Sequence, residues 1–581
     1  MRPIPYRDLV LRSIAELRAK GSIFDIPVEH VHRPGPRRGE PLLGPAAGPH
    51  TQLAQNILCA YLAGARAVEL KTVQKLDSLE IEKPCIDAAD EGYNVEWSTE
   101  FSLDAAYDEY LKAWFLLHAA ETLITETPPV PPSFSFTMSV GYDLDGIRLA
   151  KMDRFINRLI DSTGEVLFDR YRRETAELAA RPGLFAGIPL EHPAKLLGEA
   201  AGSVSPRLSS SVTLSTMHGC PPGEIESICR YLLEAKRLDT LVKLNPTLLG
   251  YDRVRGILDG LGYDYVQLDR HGFEKDLRYA DAVPMLARLL EAARRAGRRF
   301  GVKLTNTLAA ANTRGVLPGK EMYLSGRALY PLSMAVAADL AVEFKGRLPV
   351  SLSGGVAAWN IADVLDAGIR PVTLATDLLK PGGYSRLGQL AEIAEAHAGR
   401  GDRAGGRTDP ARIRRAAEAA LRDPRCRKDY RGTDAVRVEG PLPLFDCFVA
   451  PCVERCPIGQ DVPGYIRLAG EGRHEEAFAL IHETNPLPFI TGHLCDHQCM
   501  RACTRMDWEG AVLIRDMKRV AAENGCEAFR DGCSAMKRRA PARGVAAAVI
   551  GAGPAGLSAA SFLAREGFEV HVYEREREPG G

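Results

Sequence analysis

SVTLST (211–216), PGEIESICRYLLEA (222–235) and LVKLN (241–245) follow one another as a β-rich run, an amphipathic helical stretch and a second β-rich run. The same order recurs from about residue 40 to 395. Further β-rich runs stand at 41–46, 67–73, 133–140, 265–269, 300–305, 348–353 and 371–376, with helical stretches at 108–123, 279–296 and 327–344. Strands alternating with helices read as a parallel sheet, most economically a (β/α)8 barrel. Nine runs compete for its eight places, so one of the near-duplicates VKLNPT (242–247) and VKLTNT (302–307) is expected to be an insertion or a rim strand.

Outward from the barrel, the proline-rich TPPVPPS (127–133) reads as a loop before a strand, and AHAGRGDRAGGRT (396–408) as the barrel's end. The expected organisation is α/β: a barrel over 1–395, a linker over 396–439 with a short helical piece at 410–421, an α-helical module over 440–528, a basic linker over 529–543, and the start of a Rossmann-like unit over 544–581. At 581 residues the chain is too long for one core. It is 45% hydrophobic and 26% charged, as an ordinary soluble protein is. Lys and Arg (74) nearly balance Asp and Glu (75), which argues against nucleic acid or an anionic membrane as partner. The N-terminus has no secretory apolar segment. The apolar run 545–564 is interrupted by Gly551, Gly553, Pro554 and Gly556, so it is not read as a membrane span. Six of the 13 cysteines are clustered and the others scattered, which suits a reducing cytoplasm with a metal site better than a disulfide framework.

The cluster reads Cys447-x4-Cys452-x3-Cys456-Pro457 and then Cys495-x3-Cys499-x3-Cys503. Thiolates at short spacing hold soft metal centres. Zinc knuckles favour C-x2-C, and this chain has none, so iron–sulfur is the leading reading with structural zinc and unrelated buried thiols as alternatives. Closely after it, VIGAGPAG (549–556) is an apolar strand running into G-x-G-x-x-G. Gly551 allows the tight turn, Gly553 lets the backbone approach a pyrophosphate, and Gly556 lets the helix pack on the strand. A second strand over 569–573 ends at Glu574, where a carboxylate can bind ribose hydroxyls. The alternative is a purely structural glycine-rich βα turn. A complete dinucleotide domain needs on the order of a hundred further residues, so the unit is expected to be truncated and to hold FAD weakly. Side by side, the two motifs point to electrons passing between an iron–sulfur cluster and a flavin.

Resemblance sharpens this. Residues 451–503 resemble the cluster module of the glutamate synthase small subunit and of dihydropyrimidine dehydrogenase, in cysteine order, in Cys456-Pro457, in Asn485-Pro486 and in Thr491-Gly492. That family interleaves two 4Fe-4S clusters, which implies Cys447, Cys452 and Cys503 for one and Cys456, Cys495 and Cys499 for the other. The pattern departs at Leu444, where the family has a cysteine, and near Lys518, where relatives carry a Gln or Glu ligand. One or two clusters are therefore expected, each with three thiolates; Asp446, His493 and His497 are neighbours that could complete them. The run Glu574-x5-Gly580-Gly581 resembles FAD-binding more than NAD-binding relatives.

GPAAGPHTQ (44–52), VELKTV (68–73), KLTNT (303–307), SGRALYPLSM (325–334) and residues 351–379 resemble the FMN barrel of dihydroorotate and dihydropyrimidine dehydrogenases. This implies flavin contacts from Lys71 and from either Lys243 or Lys303, Asn306 near the ring, and a phosphate held by Gly354 and Gly355. In relatives a Cys or Ser after the fourth strand transfers the proton; here Thr216 stands at that place and Cys220 four positions on. A threonine cannot do this alone, and Cys220 before Pro221-Pro222 also reads as packing. The order barrel, cluster module, dinucleotide unit resembles the iron–sulfur flavoprotein subunits labelled selenate reductase (the YgfK family). The expected activity is a cytoplasmic oxidoreductase relaying electrons from NAD(P)H through FAD and 4Fe-4S clusters to a barrel site, with or without FMN, acting on a small molecule or a redox partner subunit. The competing expectation is a non-catalytic electron-transfer and docking subunit whose barrel holds no flavin.

Overall fold

The computed structural model describes residues 3–24, 26–33, 41–76, 85–88, 93–94, 101–128, 131–141, 143–188, 190–215, 219–313, 317, 319–380, 383–398, 406–430, 450–503, 511–535 and 542–580. Two compact units divide at Phe448/Val449.

In the first unit eight strands form one all-parallel sheet: β1 Leu43–Pro45, β2 Ala67–Glu69, β3 Ser135–Gly141, β4 Ser209–Ser215, β5 Asp239–Leu244, β6 Phe300–Leu304, β7 Val350–Leu352 and β8 Val372–Leu374. Their spatial order, β1-β8-β7-β6-β5-β4-β3-β2, is the chain order taken once around. Arg66 N–H donates to Leu43 O at 2.8 Å and draws the two ends of the sheet together into a barrel. Every residue of β1, β2, β6, β7 and β8 is buried, as expected of parallel strands covered on both faces. Helices α1 (Leu103–Thr125), α2 (Pro222–Arg230), α3 (Tyr279–Ala296) and α4 (Leu329–Glu343) are among those that pack around it.

Two expectations need correcting. Both near-duplicate runs are barrel strands, and they are neighbours in register, Lys243 opposite Lys303. The surplus run is 265–269. β5 already pairs with β4 on one side and β6 on the other, so no edge is left for it. Of its residues, Gln267 makes an isolated antiparallel bridge to Ala311. The sequence also gave no sign of a small mixed sheet, Leu308–Ala311, Glu321–Leu324, Ile86–Asp87 and Tyr93–Asn94, built from segments that follow β2 and β6.

The barrel's packing continues into the stretch expected as a linker. Helix α5 (Pro410–Ala420) buries Ile413, Ala416, Ala417 and Ala420 in the same core as α4. That i, i+3, i+4, i+7 spacing makes one apolar stripe.

The second unit packs α6 (Val462–Gly470), α7 (His474–Thr484), α8 (Pro488–Leu494) and α9 (Ile514–Ala535) into a bundle around Tyr465, Leu468, Ile481 and Ile514. Helix α9 runs to Ala535, past the expected boundary at 528. Then β9 (Ala546–Ile550), α10 (Pro554–Arg565) and β10 (Glu569–Tyr573) form one parallel βαβ unit, Ala546 opposite Glu569 through Ile550 opposite Tyr573.

The barrel seam yields a test. A Cβ on Gly44 would lie 1.8 Å from Ala67 O, whereas one on Gly223, at the start of α2, would meet nothing within 4 Å. Gly44→Ala should therefore cost more than about 2 kcal/mol of unfolding free energy, and Gly223→Ala less than about 0.5 kcal/mol, both read from urea denaturation.

Candidate functional site

The inward face of the barrel carries charge where packed apolar layers are usual. Lys303 Nζ donates to Thr373 Oγ1 at 2.7 Å and Ser351 Oγ at 3.3 Å, and lies 3.3 Å from Glu69 Oε2. Glu69 also accepts from Ala47 N–H at 3.1 Å. Burial alone would push Glu69 up, but Lys303, Lys243 and the Ala47 N–H outweigh it and hold the carboxyl below its usual range. Burial, together with the like charges of Lys303 and Lys71, brings Lys243 down to about 8 despite the attraction of Glu69. Two lysines beside one carboxylate leave an excess of positive charge, and such a site favours an anionic ligand.

The strand ends open into a cavity of about 670 Å3, whose wall includes Ala46, Thr72, Gly141, Ser215, Lys243, Thr305, Ser353 and Ala375. All eight barrel strands or the loops after them contribute, so it is the C-terminal mouth of the barrel. Residues of the small mixed sheet, Ile86, Ala309 and Tyr323, complete it. Of the two lysines between which the sequence left a choice, Lys243 lines this cavity, while Lys303 is held by Glu69, Ser351 and Thr373. Lys71 is buried and is not part of the wall; its carbonyl accepts from Tyr110 Oη–H at 3.0 Å.

Asn306 lines the cavity within a directed chain. Asp276 accepts from Gly219 N–H at 2.5 Å, Thr247 Oγ1 at 2.9 Å and Asn245 Nδ2 at 3.1 Å. Asn306 Nδ2 donates to Asn245 Oδ1 at 2.8 Å, and Ser215 Oγ donates to Asn306 Oδ1 at 3.4 Å. The sequence reading missed Asp276, which stands in a loop before α3 with no motif around it. Glu69 had a signal: it alternates with Lys71 along VELK (68–71), two charges on one face of a buried strand.

Gly354 and Gly355 line the cavity. Close packing alone demands glycine at both. A Cβ on Gly354 would sit 2.5 Å from Ser333 Oγ, and Gly355 (φ +68) would place one 2.6 Å from Gly326 O. Among the described residues neither N–H donates to a protein acceptor, which leaves both available to an anion. Thr216 lies outside the described residues. Cys220 is half-buried and is not in the cavity wall; burial, with Glu224, Asp143 and Asp276 nearby, pushes its thiol up to about 11. It is therefore a protonated thiol at neutral pH.

In the second unit Cys447 lies outside the described residues. The other five cluster cysteines are free thiols around buried Tyr465, whose phenol is pushed up by burial and by Cys499, Cys452, Cys456 and Cys495. Burial and then Cys503 push Cys452 up to about 11, while burial, Cys495 and Cys456 raise Cys499. Cys503 and Cys499 both act on Cys452, and Cys495 and Cys456 both act on Cys499. Among the described residues no three Cys, His, Asp or Glu side chains close on a single ion. The donors gathered here are soft sulfur, the ligand type that iron–sulfur centres use. Lys518 Nζ lies 3.5 Å from Cys495 Sγ. His497 Nδ1 is engaged by Arg515 at 3.2 Å.

At the fingerprint Gly551 takes φ +97, and a Cβ on Gly556 would lie 1.9 Å from Gly551 O, so both glycines serve the turn and the helix–strand contact. A Cβ on Gly553 would meet nothing within 4 Å, so no packing within the chain requires that glycine and the space beside it is open to a ligand. Glu574 Oε2 accepts from Ala552 N–H at 2.6 Å and its Oε1 from Glu576 N–H at 2.9 Å. Those two N–H groups hold its carboxyl below the usual range. The acid ending β10 is thus tied to the glycine loop itself.

A barrel with a charged mouth, a thiol-bearing helical module and a Rossmann-like glycine loop thus follow one another along the chain. The chain belongs to the YgfK oxidoreductase family, whose N-terminal TIM-barrel domain matches residues 31–428. The 4Fe-4S domain II of dihydropyrimidine dehydrogenase matches 443–528, and an NAD(P)-binding Rossmann-like domain matches 549–581. The YgfK oxidoreductase of Escherichia coli (strain K12) is 48% identical over 592 aligned residues, covering 100% of this chain and 56% of its own length. The chain therefore spans little more than half of that relative. The glutamate synthase [NADPH] small chain of the same organism is 39% identical over 133 residues, 22% of this chain and 27% of that protein. The solved structure of Eimeria tenella DHODH in complex with ferulenol aligns with a TM-score of 0.37 at 15% identity, covering 68% of this chain and 93% of that one. Among the described residues no helix is long and apolar enough to cross a membrane.

The position of Lys243 sets a pH dependence. In the unfolded chain its amine keeps the ordinary value of about 10.4, whereas in the fold it holds its proton only below about 8. Between those values the unfolded state binds the extra proton, so this group makes stability rise with pH. The urea midpoint of ligand-free protein should climb across that window, and Lys243→Met should flatten the climb.

Proposed function

We propose that this chain is the barrel, cluster and first dinucleotide-binding portion of an iron–sulfur flavoprotein oxidoreductase, in which reducing equivalents of NAD(P)H pass by way of FAD and 4Fe-4S clusters to the barrel mouth or to a redox partner subunit. The observation that carries the barrel part of this reading is Lys243: an ammonium deep in the barrel, facing the cavity, with no salt bridge or hydrogen bond among the described residues. FMN fits what surrounds it. Lys243, with Lys71 and Lys303 behind it, would stand at the ring edge that gains negative charge on reduction, and the N–H groups of Gly354 and Gly355 would meet the phosphate. Bound there, FMN would supply two-electron chemistry toward a small molecule and one-electron exchange with the clusters. Asn306, held by Asn245 and Ser215, orients a substrate amide or carbonyl at the same mouth. Cys220, as a thiol, can only give a proton, and from its place it does so through Asp276 or water; Thr216 is the other candidate for this transfer.

Cys452 and Cys503, with Cys447, hold one cluster in this reading, and Cys456, Cys495 and Cys499 the other. Gly551, Gly553, Gly556 and Glu574 hold the ADP half of FAD. The 13 cysteines, with six of them clustered and no disulfide among the described ones, suit a reducing cytoplasm.

The test uses anaerobically purified full chain, assayed for flavin after denaturation and for iron and sulfide. FMN at about one per barrel supports the reading; a barrel that never retains flavin gives way to the docking-subunit alternative. Lys243→Met should weaken FMN binding at least about tenfold, roughly 1.4 kcal/mol, with iron and sulfide unchanged. Cys499→Ser and Cys452→Ser should each remove about half of the iron, and stoichiometric zinc in place of iron would sink the cluster assignment.

A further inference from the structure

Lys518 stands in α9 with only 6% of its surface exposed, and among the described residues no carboxylate pairs with it. Lysines are almost never buried without a partner. The partner here is sulfur: Nζ lies 3.5 Å from Cys495 Sγ, and its charge also reaches Cys499. Three residues earlier on the same helix, Arg515 donates from its guanidinium to Cys495 O at 3.3 Å. Both cations occupy the beginning of α9, where the helix dipole disfavours positive charge, so helix stability does not explain them. The other thiol group is treated differently. Cys503 Sγ receives the neutral N–H of Val512 at 3.5 Å, and Cys452 feels burial and neighbouring thiols, with no cation among its influences.

We propose that Lys518 is a positioning residue that makes the two cluster sites unequal, raising the reduction potential of the centre at Cys456, Cys495 and Cys499 above that of the centre at Cys452 and Cys503. This rests on the two-cluster reading given above. A positive charge and an N–H···S hydrogen bond both favour the reduced, more negative form of an iron–sulfur centre. An electron arriving in the module then resides on the Lys518 side: that centre gains one electron and the other loses it, with no proton or bond exchanged. The asymmetry comes from one side chain and gives the relay a preferred resting place.

The experiment is an EPR-monitored redox titration of reconstituted full chain, wild type and variants, with iron and sulfide measured in each. The Cys452→Ser background, which lacks the other cluster, identifies the signal. In Lys518→Met the iron and sulfide should match wild type. The midpoint of the Cys495 signal should fall by at least a tenfold change in the one-electron equilibrium, about 59 mV, while the second signal stays in place. Lys518→Arg should restore the wild-type midpoint, and Lys518→Gln, which keeps a donor without the charge, should fall between. Unmoved midpoints in Lys518→Met and Lys518→Gln with both clusters present would overturn the proposal. So would loss of an iron with appearance of a three-iron signal, which would make Lys518 a ligand. Wild-type protein that takes up no iron and sulfide overturns the cluster reading itself, an outcome separate from the other two.

Discussion

Glu69 is the carboxylate on which the barrel interior turns. Its side chain and that of Lys303 are 3% and 2% exposed, and the pair joins β2 to β6 across the inside of the sheet. Through Ala47 N–H the same carboxylate fixes the loop after β1. Desolvating such a pair gains little net stability over a hydrophobic substitute, whereas removing one partner leaves a buried charge and costs several kcal/mol, roughly 3–5. Once Glu69 is in place the neighbouring lysines are tolerable, and without it the ammonium groups of Lys303 and Lys243 would repel each other with no carboxylate between them. The layer of Lys243, Lys303, Ser351 and Thr373 therefore opens upward as a polar cavity where an apolar layer would have closed it.

How much of this could be read in the sequence follows from the range of each interaction. The barrel was legible because parallel strands buried on both faces leave apolar runs of fixed kind, and eight of the nine runs are its strands. The failure at 265–269 has the same root. A β-rich composition measures fit to a half-buried surface and says nothing about whether an edge is free, and β5 had none. Lys243 and Lys303 looked interchangeable because their local sequences nearly coincide. Only the ring of β7 and β8, with Ser351 and Thr373, separates the one held in the wall from the one facing the cavity. Asp276 was invisible for a related reason: its partners Gly219, Asn245 and Thr247 come from two other loops, and no spacing links them.

The second unit was read more easily because its motifs are local. Gly551 and Gly556 are dictated by a turn and a contact within six residues of each other, so their chemistry is written in consecutive positions. Glu574 shows where local reading stops. Its distance from the glycines fitted a ribose acceptor, and the structure shows the same carboxylate already accepting Ala552 N–H, so it also shapes the loop that a dinucleotide must enter. The cysteine spacings likewise located the thiols but said nothing of the cations beside them; Lys518, marked only by the resemblance, and Arg515 come from a helix that begins after Cys503, the last cysteine of the cluster motif.

Lys243 and Lys518 share one physical feature. Each is a cation without a carboxylate salt bridge among the described residues, Lys243 half-buried at the barrel mouth and Lys518 buried among thiols, and each costs desolvation. A fold tolerates such a cost where a negative charge is going to arrive, because the ammonium is then paired at the moment of function and not before. Phosphate, a reduced ring and a reduced cluster are all arriving negative charge. The two units, built from unrelated elements, each hold one such lysine, Lys243 at the barrel mouth and Lys518 beside Cys495, whereas interior lysines such as Lys303 and Lys112 have their carboxylates, Glu69 and Glu109, already built in.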